Sequence, residues 1–138
     1  MAKISIIIPC YNSQKTVFRA VKSVVRQSFR DLNIILVNDS STDGTEAILK
    51  RLAESDSRIR VVSHDENLGV DFARFTGIQE ATSPYLCFLD ADDNLTKDAI
   101  STLLFIAERE DADIVEGTSS RVLGRSGILN KDFILRIA

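Results

Sequence analysis

Apolar positions along the chain fall into short blocks that alternate between two periods. ISIIIP, at 4–9, is a β-branched run closed by Pro9 and reads as a buried strand. After it, Val17, Ala20, Val21, Val24 and Val25 recur at helical spacing with Arg19, Lys22 and Arg26 between them, which predicts an amphipathic helix. NIILV at 33–37 predicts a second strand. SSTDGTEAILKRL opens a helix, with Asp43 and Glu46 at the spacing of a capping box. IRVV supplies a third strand over 59–62. NLGVDFARFTGIQEA predicts a helix with Ala73, Gly77, Ile78 and Ala81 on one face, where the small residues permit close packing. YLCFL at 85–89 is a fourth strand. TKDAISTLLFIAERE predicts a helix capped by Thr96, with Asp98 and Asp111 at its two ends, and DIVEG is a fifth strand. LNKDFILRI predicts a last short helix.

Strands that are continuous apolar runs and alternate with helices imply parallel strands covered on both faces. The expected fold is therefore an α/β, doubly wound, mainly parallel sheet with helices on both faces. In such sheets ligands bind outside the carboxyl ends of the strands. The segments that follow the first four strands are Pro9-Cys10-Tyr11-Asn12, Asn38-Asp39-Ser40-Ser41, His64-Asp65-Glu66-Asn67 and Asp90-Ala91-Asp92-Asp93. Polar chemistry thus collects on one rim.

The fourth of these segments is the most informative. An apolar strand runs straight into Asp90, Asp92 and Asp93. Like charges this close repel, and burying them unpaired is costly, so a cation is expected there. An EF-hand loop does not fit, because Leu95 stands where glycine is needed and Ser101 where glutamate is needed. A phosphoaspartate receiver would need an acidic pair after strand one and a lysine after strand five. The chain has Pro9-Cys10-Tyr11 and Glu116-Gly117-Thr118 there. A phosphatase-like D-x-D-x-T fails at Asn94. Capping of the next helix would need one aspartate, not three.

Composition narrows the classes further. A chain of 138 residues is one domain with room for a core, and 44% hydrophobic with 27% charged residues marks it as globular. The net charge of −3 argues against nucleic-acid binding. From Ser119 onward Arg121, Arg125, Lys131 and Arg136 face one acid, Asp132, a bias read as a solvated terminal helix in preference to a membrane-surface patch. Cys10, Cys87 and a lone His64 form no zinc spacing and no disulfide framework, which suits a reducing cytosol. No apolar run approaches a membrane span and the N-terminus has no signal peptide. The expected location is cytoplasmic, with peripheral contact to the inner face of a membrane left open.

ISIIIPCYN, ILVNDSSTDGT, NLGVDFARFTG and YLCFLDADD, in this order and spacing, resemble glycosyltransferase family 2 from about Lys3 to about Asp98. The resemblance implies the GT-A fold, a nucleotide-diphosphate-sugar donor and inversion at the anomeric carbon. It implies that Pro9 and Tyr11 border the nucleobase, with Tyr11 stacking on it. It implies that Asp39 accepts a hydrogen bond from the base, typically uracil. Asp90 and Asp92 match the family's D-x-D, the first reaching the ribose or a metal-bound water and the second ligating Mn²⁺ or Mg²⁺. Arg74 matches the arginine of the family's A-R pair and would orient Asp90, meet a phosphate or form a structural ion pair.

Phe75, Ser83-Pro84 and Ser40 depart from residues common in the family, without touching the metal pair. The family's general base is an Asp or Glu some tens of residues after the D-x-D. Glu116 is the only late acid near the rim, and the resemblance does not put the base there, so the base is expected beyond Ala138. Residues 1–118 are therefore read as the donor-binding domain, and 119–138 as a helical segment that begins a truncated acceptor part. The expected activity is transfer from a UDP-sugar to a hydroxyl of a glycan or lipid-linked acceptor in polysaccharide biosynthesis. This piece would bind the donor without transferring the sugar. The alternative is a non-catalytic nucleotide-binding module. A nucleotidylyltransferase is discounted because PCYNSQKT has Lys15 but no glycine.

Overall fold

Residues 2–117 and 133–136 are described by the computed structural model. β1 (Ile4–Cys10) is the axis of the sheet, and every residue of it is buried. It pairs in parallel with β2 (Leu32–Asn38) on one side and β4 (Tyr85–Phe88) on the other, so that Ile4 stands opposite both Leu32 and Tyr85. β3 (Ile59–Ser63) continues the parallel ladder beyond β2. β5 (Ile114–Glu116) and β6 (Phe133–Arg136) complete the order β3-β2-β1-β4-β6-β5, with β6 antiparallel to both neighbours. The pairing explains how a proline sits in a central strand. The β1–β4 ladder ends at Ile7 and Phe88, so Pro9 lies beyond the last place where its missing N–H would be needed.

Alternation along β1 divides the core in two. Ile4, Ile6, Ile8 and Cys10 pack with residues of α1 (Val17–Val25), α2 (Thr45–Ser55) and α4 (Ala99–Arg109). Ile7 points the other way, toward α3 (Val70–Glu80). A Cβ added at Gly77 would lie 2.3 Å from Ile7 Cγ2, so the absent side chain lets α3 settle directly on the sheet. Ala73 and Gly77 form that contact, one helical turn apart. Ile78, expected on the same face, is turned toward solvent, because it lies about 100° around the helix from Gly77.

Two helix starts differ from expectation. Asp43 precedes the N-cap Gly44 and its Oδ1 accepts from Thr45 N and Thr45 Oγ1 at 2.9 and 2.5 Å. Glu46 does not close a capping box; it pairs with Lys50 at 3.3 Å. The N-cap of α4 is Asp98 rather than Thr96. The buried Gln27 serves this helix end from across the fold. Its Oε1 accepts from Ile100 N at 3.1 Å and its Nε2 donates to the Thr96 carbonyl at 2.6 Å.

The helix expected over LNKDFILRI is a strand where it is described. Residues 133–136 fill the slot between β4 and β5, and Ile134 is fully buried there. A short apolar run carries no period long enough to separate helix from strand, and two open strand edges decide the matter. Arg136, expected to be solvated, pairs with Asp111 and Asp113, each at 2.6 Å. The rest of the 119–138 segment, and its proposed boundary after 118, lie outside the described residues.

Candidate functional site

The loops at the carboxyl ends of β1 and β4 enclose an open cleft of about 790 Å³, with Pro9, Tyr11, Lys15, Arg74, Asp90 and Asp92 among the residues that line it. The loop after β1 is held by the loop after β2. Asn12 N donates to Ser41 Oγ at 3.0 Å, Ser13 N to Thr45 Oγ1 at 2.8 Å, and Gly44 N to Gln14 Oε1 at 2.7 Å. Asn12 turns the chain there with φ of 46°, and Ser40 does the same after β2 with φ of 60°. Ser40 thus occupies a left-handed position that glycine would adopt more cheaply. The stitching presents the Tyr11 ring to the cleft, half-exposed.

On the other wall, Leu89 N bonds to Ile7 O at 3.0 Å and extends β4 by one residue before the chain turns. Asp93 N then donates to Asp90 O at 3.0 Å, and this tight turn gathers the acidic side chains. Asp90, Asp92 and Asp93 each offer an oxygen, and these atoms lie within 4.8 Å of one another. Donors about 2.0–2.6 Å from a hard cation stand at most about 4–5 Å apart, so the set fits one Mg²⁺ or Mn²⁺. Asp93 stands beside the expected Asp90–Asp92 pair as a third candidate donor. Its signal was in the sequence as part of the acidic run, although the D-x-D spacing alone does not select it. Arg74 Nη2 donates to Asp90 Oδ1 at 3.0 Å while Nη1 reaches Asp71 at 3.2 Å. Arg74 thus reaches from α3 to ion pairs with both Asp71 and Asp90.

Asp39 is placed differently from the others. It is buried at the end of β2 and is not among the residues lining the cleft. Its Oδ1 accepts from Leu68 N at 2.9 Å and from His64 Nδ1 at 2.8 Å, and its Oδ2 accepts from Gly69 N at 2.9 Å. Burial pushes the Asp39 carboxyl up, but the bonds from Leu68, His64 and Gly69 outweigh it and hold the group below the usual carboxylate value. An ionised carboxylate can only accept, so His64 Nδ1 carries a proton. His64 Nε2 lies 2.8 Å from Thr76 Oγ1 on α3. Asp39 therefore clamps the turn at Gly69, whose φ of 94° leads into α3. Sequence reasoning missed His64 and Thr76. A lone histidine has no spacing signal, and its partners come from two other elements.

Glu116 stands exposed at the end of β5 and does not line the cleft. Cys10 and Cys87 are both buried, and burial raises the Cys10 thiol to about 12. Among the described residues no helix is long and apolar enough to cross a membrane.

The mostly parallel α/β sheet, with an acidic cleft at its strand ends, places the candidate site where proteins of this class bind their ligands. The chain matches the family model Glycosyl transferase family 2 over residues 5–131. It is 37% identical over 114 residues to the uncharacterized glycosyltransferase YibD of Escherichia coli, covering 83% of this chain and 33% of YibD. It is 32% identical over 134 residues to the GalNAc(5)-diNAcBac-PP-undecaprenol beta-1,3-glucosyltransferase of Campylobacter jejuni, covering 96% of this chain and 42% of that protein. The structure of S. aureus TarS 1-349 in complex with UDP superimposes with a TM-score of 0.83 at 25% identity, over 93% of this chain and 38% of that one. The mannosyltransferase PcManGT from Pyrobaculum calidifontis, in complex with GDP-Man and Mn²⁺, shares the fold with a TM-score of 0.76 at 22% identity, over 81% and 34%. The chain belongs to glycosyltransferase family 2 and has the GT-A fold. It spans 33% to 42% of the length of the two relatives compared.

Proposed function

We propose that this chain is the donor-binding part of an inverting glycosyltransferase that moves a sugar from a UDP-sugar to an acceptor hydroxyl. The observation that carries the reading is the single cleft that brings Tyr11, Arg74, Asp90 and Asp92 together from three separate elements. The UDP complex of TarS supports the choice of nucleotide. The undecaprenol-linked substrate in the name of the C. jejuni relative supports a lipid-linked glycan acceptor. Two buried thiols agree with a cytoplasmic setting.

The roles follow from chemistry on the cleft walls and, for Asp39, at the buried end of β2. Tyr11 offers a half-exposed ring face on which a base stacks, beside the fixed turn at Pro9. Asp39 Oδ2 accepts one bond from Gly69 and keeps a second lone pair through which it would accept a base N–H. Arg74 holds Asp90 in place, and Asp90, Asp92 and Asp93 would hold Mn²⁺ or Mg²⁺. A divalent cation bound there supplies charge stabilisation to the departing nucleoside diphosphate. A general base must come within hydrogen-bond reach of the acceptor hydroxyl, and Glu116, the weak candidate within this chain, stands exposed at the end of β5.

Calorimetric titration with UDP, with Mn²⁺ and after EDTA, tests the reading. UDP binds in Mn²⁺ and much more weakly after chelation, and Asp92→Asn removes the metal effect. Metal-independent UDP binding of equal strength would refute the assignment of the acidic turn.

A further inference from the structure

We propose that a second, basic groove, between α1 and the segment 94–97, docks the protein on an anionic lipid surface. This surface is separate from the donor cleft and does not depend on the reading of sugar transfer. The groove has a volume of about 600 Å³ and is lined by Arg19, Lys22 and Arg26 on one side and Lys97 on the other. No carboxylate lines it. Among the described residues none of these four cations forms an ion pair, although most other basic groups near acids in the fold do. The groove therefore gathers four cations without a paired carboxylate on a chain whose net charge is −3.

One feature selects a lipid surface over a free phosphate. Phe18, at the same edge, is 55% exposed, with Lys22 Nζ 5.5 Å from its ring centroid. An aromatic ring held out among cations matches the boundary between headgroups and acyl chains, where the ring gains burial that a soluble anion cannot give it. The lip is also tied to α1. Ser23 Oγ accepts from Leu95 N at 3.0 Å, and Leu95 is buried beneath the groove. Arg19, Lys22 and Arg26 follow the helical repeat of α1, so they project together without rearrangement. Position adds a consequence. The donor cleft is lined up to Thr16 and Asp92, and the groove begins at Phe18 and Asn94, so docking would set the mouth of the cleft beside the membrane surface.

Vesicle sedimentation of the 138-residue chain tests the proposal at low and at physiological salt. An acidic protein is repelled on average by anionic vesicles, so binding to phosphatidylglycerol but not to phosphatidylcholine is the expected and discriminating result. Each cation near an anionic leaflet contributes about fivefold to partitioning, so Lys22→Glu/Arg26→Glu should reduce it at least about 25-fold. Lys97→Glu, on the opposite lip, is a second variant independent of α1. Phe18→Ser should weaken binding at physiological salt as well as at low salt, whereas Arg51→Glu on the exposed face of α2 should behave like the parent. Far-UV circular dichroism checks that each variant is folded. Equal binding to both lipids, or parental binding by both groove variants, would overturn the proposal. So would a loss confined to Arg121→Glu/Arg125→Glu, or displacement by inorganic polyphosphate with no effect of Phe18→Ser, the second outcome pointing to a soluble polyanion.

Discussion

Replacing Asp39 by alanine should unfold the protein more easily, because its carboxylate ties together three elements. It accepts bonds from Leu68 N, Gly69 N and His64 Nδ1 at 2.8 to 2.9 Å. A hydrogen bond to a charged group contributes about 1.5–3 kcal/mol, and a buried donor left without a partner costs about 1–3 kcal/mol. Part of this is offset, since the burial cost of the carboxylate also disappears and bonds that share one group do not add. About 3 kcal/mol is the resulting loss, a large share of the ~5–15 kcal/mol that holds a domain together. Urea unfolding followed by far-UV circular dichroism should show a lower midpoint with an unchanged slope. Hydrogen exchange should accelerate first at the amides of Leu68 and Gly69. Asp39→Asn keeps an acceptor but turns an N–H toward a backbone N–H, so it should lose about 2 kcal/mol.

The pH dependence has a definite sign. The Asp39 carboxyl is depressed in the folded protein. Its stabilisation is therefore complete above the unfolded value of about 3.9 and disappears as pH falls through the lower folded value. The gap between wild type and Asp39→Asn should be constant near neutrality and close in acid below about pH 4. An Asp39→Ala unfolding free energy within about 0.5 kcal/mol of wild type, less than one ordinary hydrogen bond, would refute the clamp.

Three further outcomes are expected. Asp39→Ala should weaken UDP more than it weakens free Mn²⁺; UDP affinity unchanged within about 0.5 kcal/mol would remove Asp39 from base recognition. Gly77→Ala places a Cβ against Ile7, and overpacking of about 1–3 kcal/mol should exceed the helix gain of about 1 kcal/mol, so a variant as stable as wild type would show that α3 can shift away from β1. The Cys10 thiol, raised to about 12 by burial, should resist a thiol reagent in the native state at mildly alkaline pH and react on addition of urea; rapid native labelling would contradict its place in the core.

Much of this protein was legible in its order of residues because backbone repeat alone sets side-chain direction. ISIIIP is a central strand since isoleucine on both phases suits burial on both faces, and the structure buries all of Ile4–Cys10. The rim loops follow from the same logic, as does the apolar run that ends in Asp90, Asp92 and Asp93 within four positions. These are local facts, and local facts survive in a string of letters.

What the string does not carry is which loops meet. Asp39 was legible as a rim acid, but its bonds go to residues 25 to 30 positions away, and only the parallel crossovers from β2 to β3 and into α3 bring them together. Gln27 caps α4 from 73 positions away, a separation at which no spacing rule operates. Residues 133–136 have the apolar content of either element, and the open edges of β4 and β5 make them a strand. In the sequence the cations of α1 only separate the apolar positions of an amphipathic helix, and Lys97, on the opposite side of the groove, joins them only in the fold. Element type is decided by periodicity along the chain. Partners are decided by the topology of the sheet, because hydrogen bonds and charges act over a few ångströms of space and are indifferent to distance along the sequence.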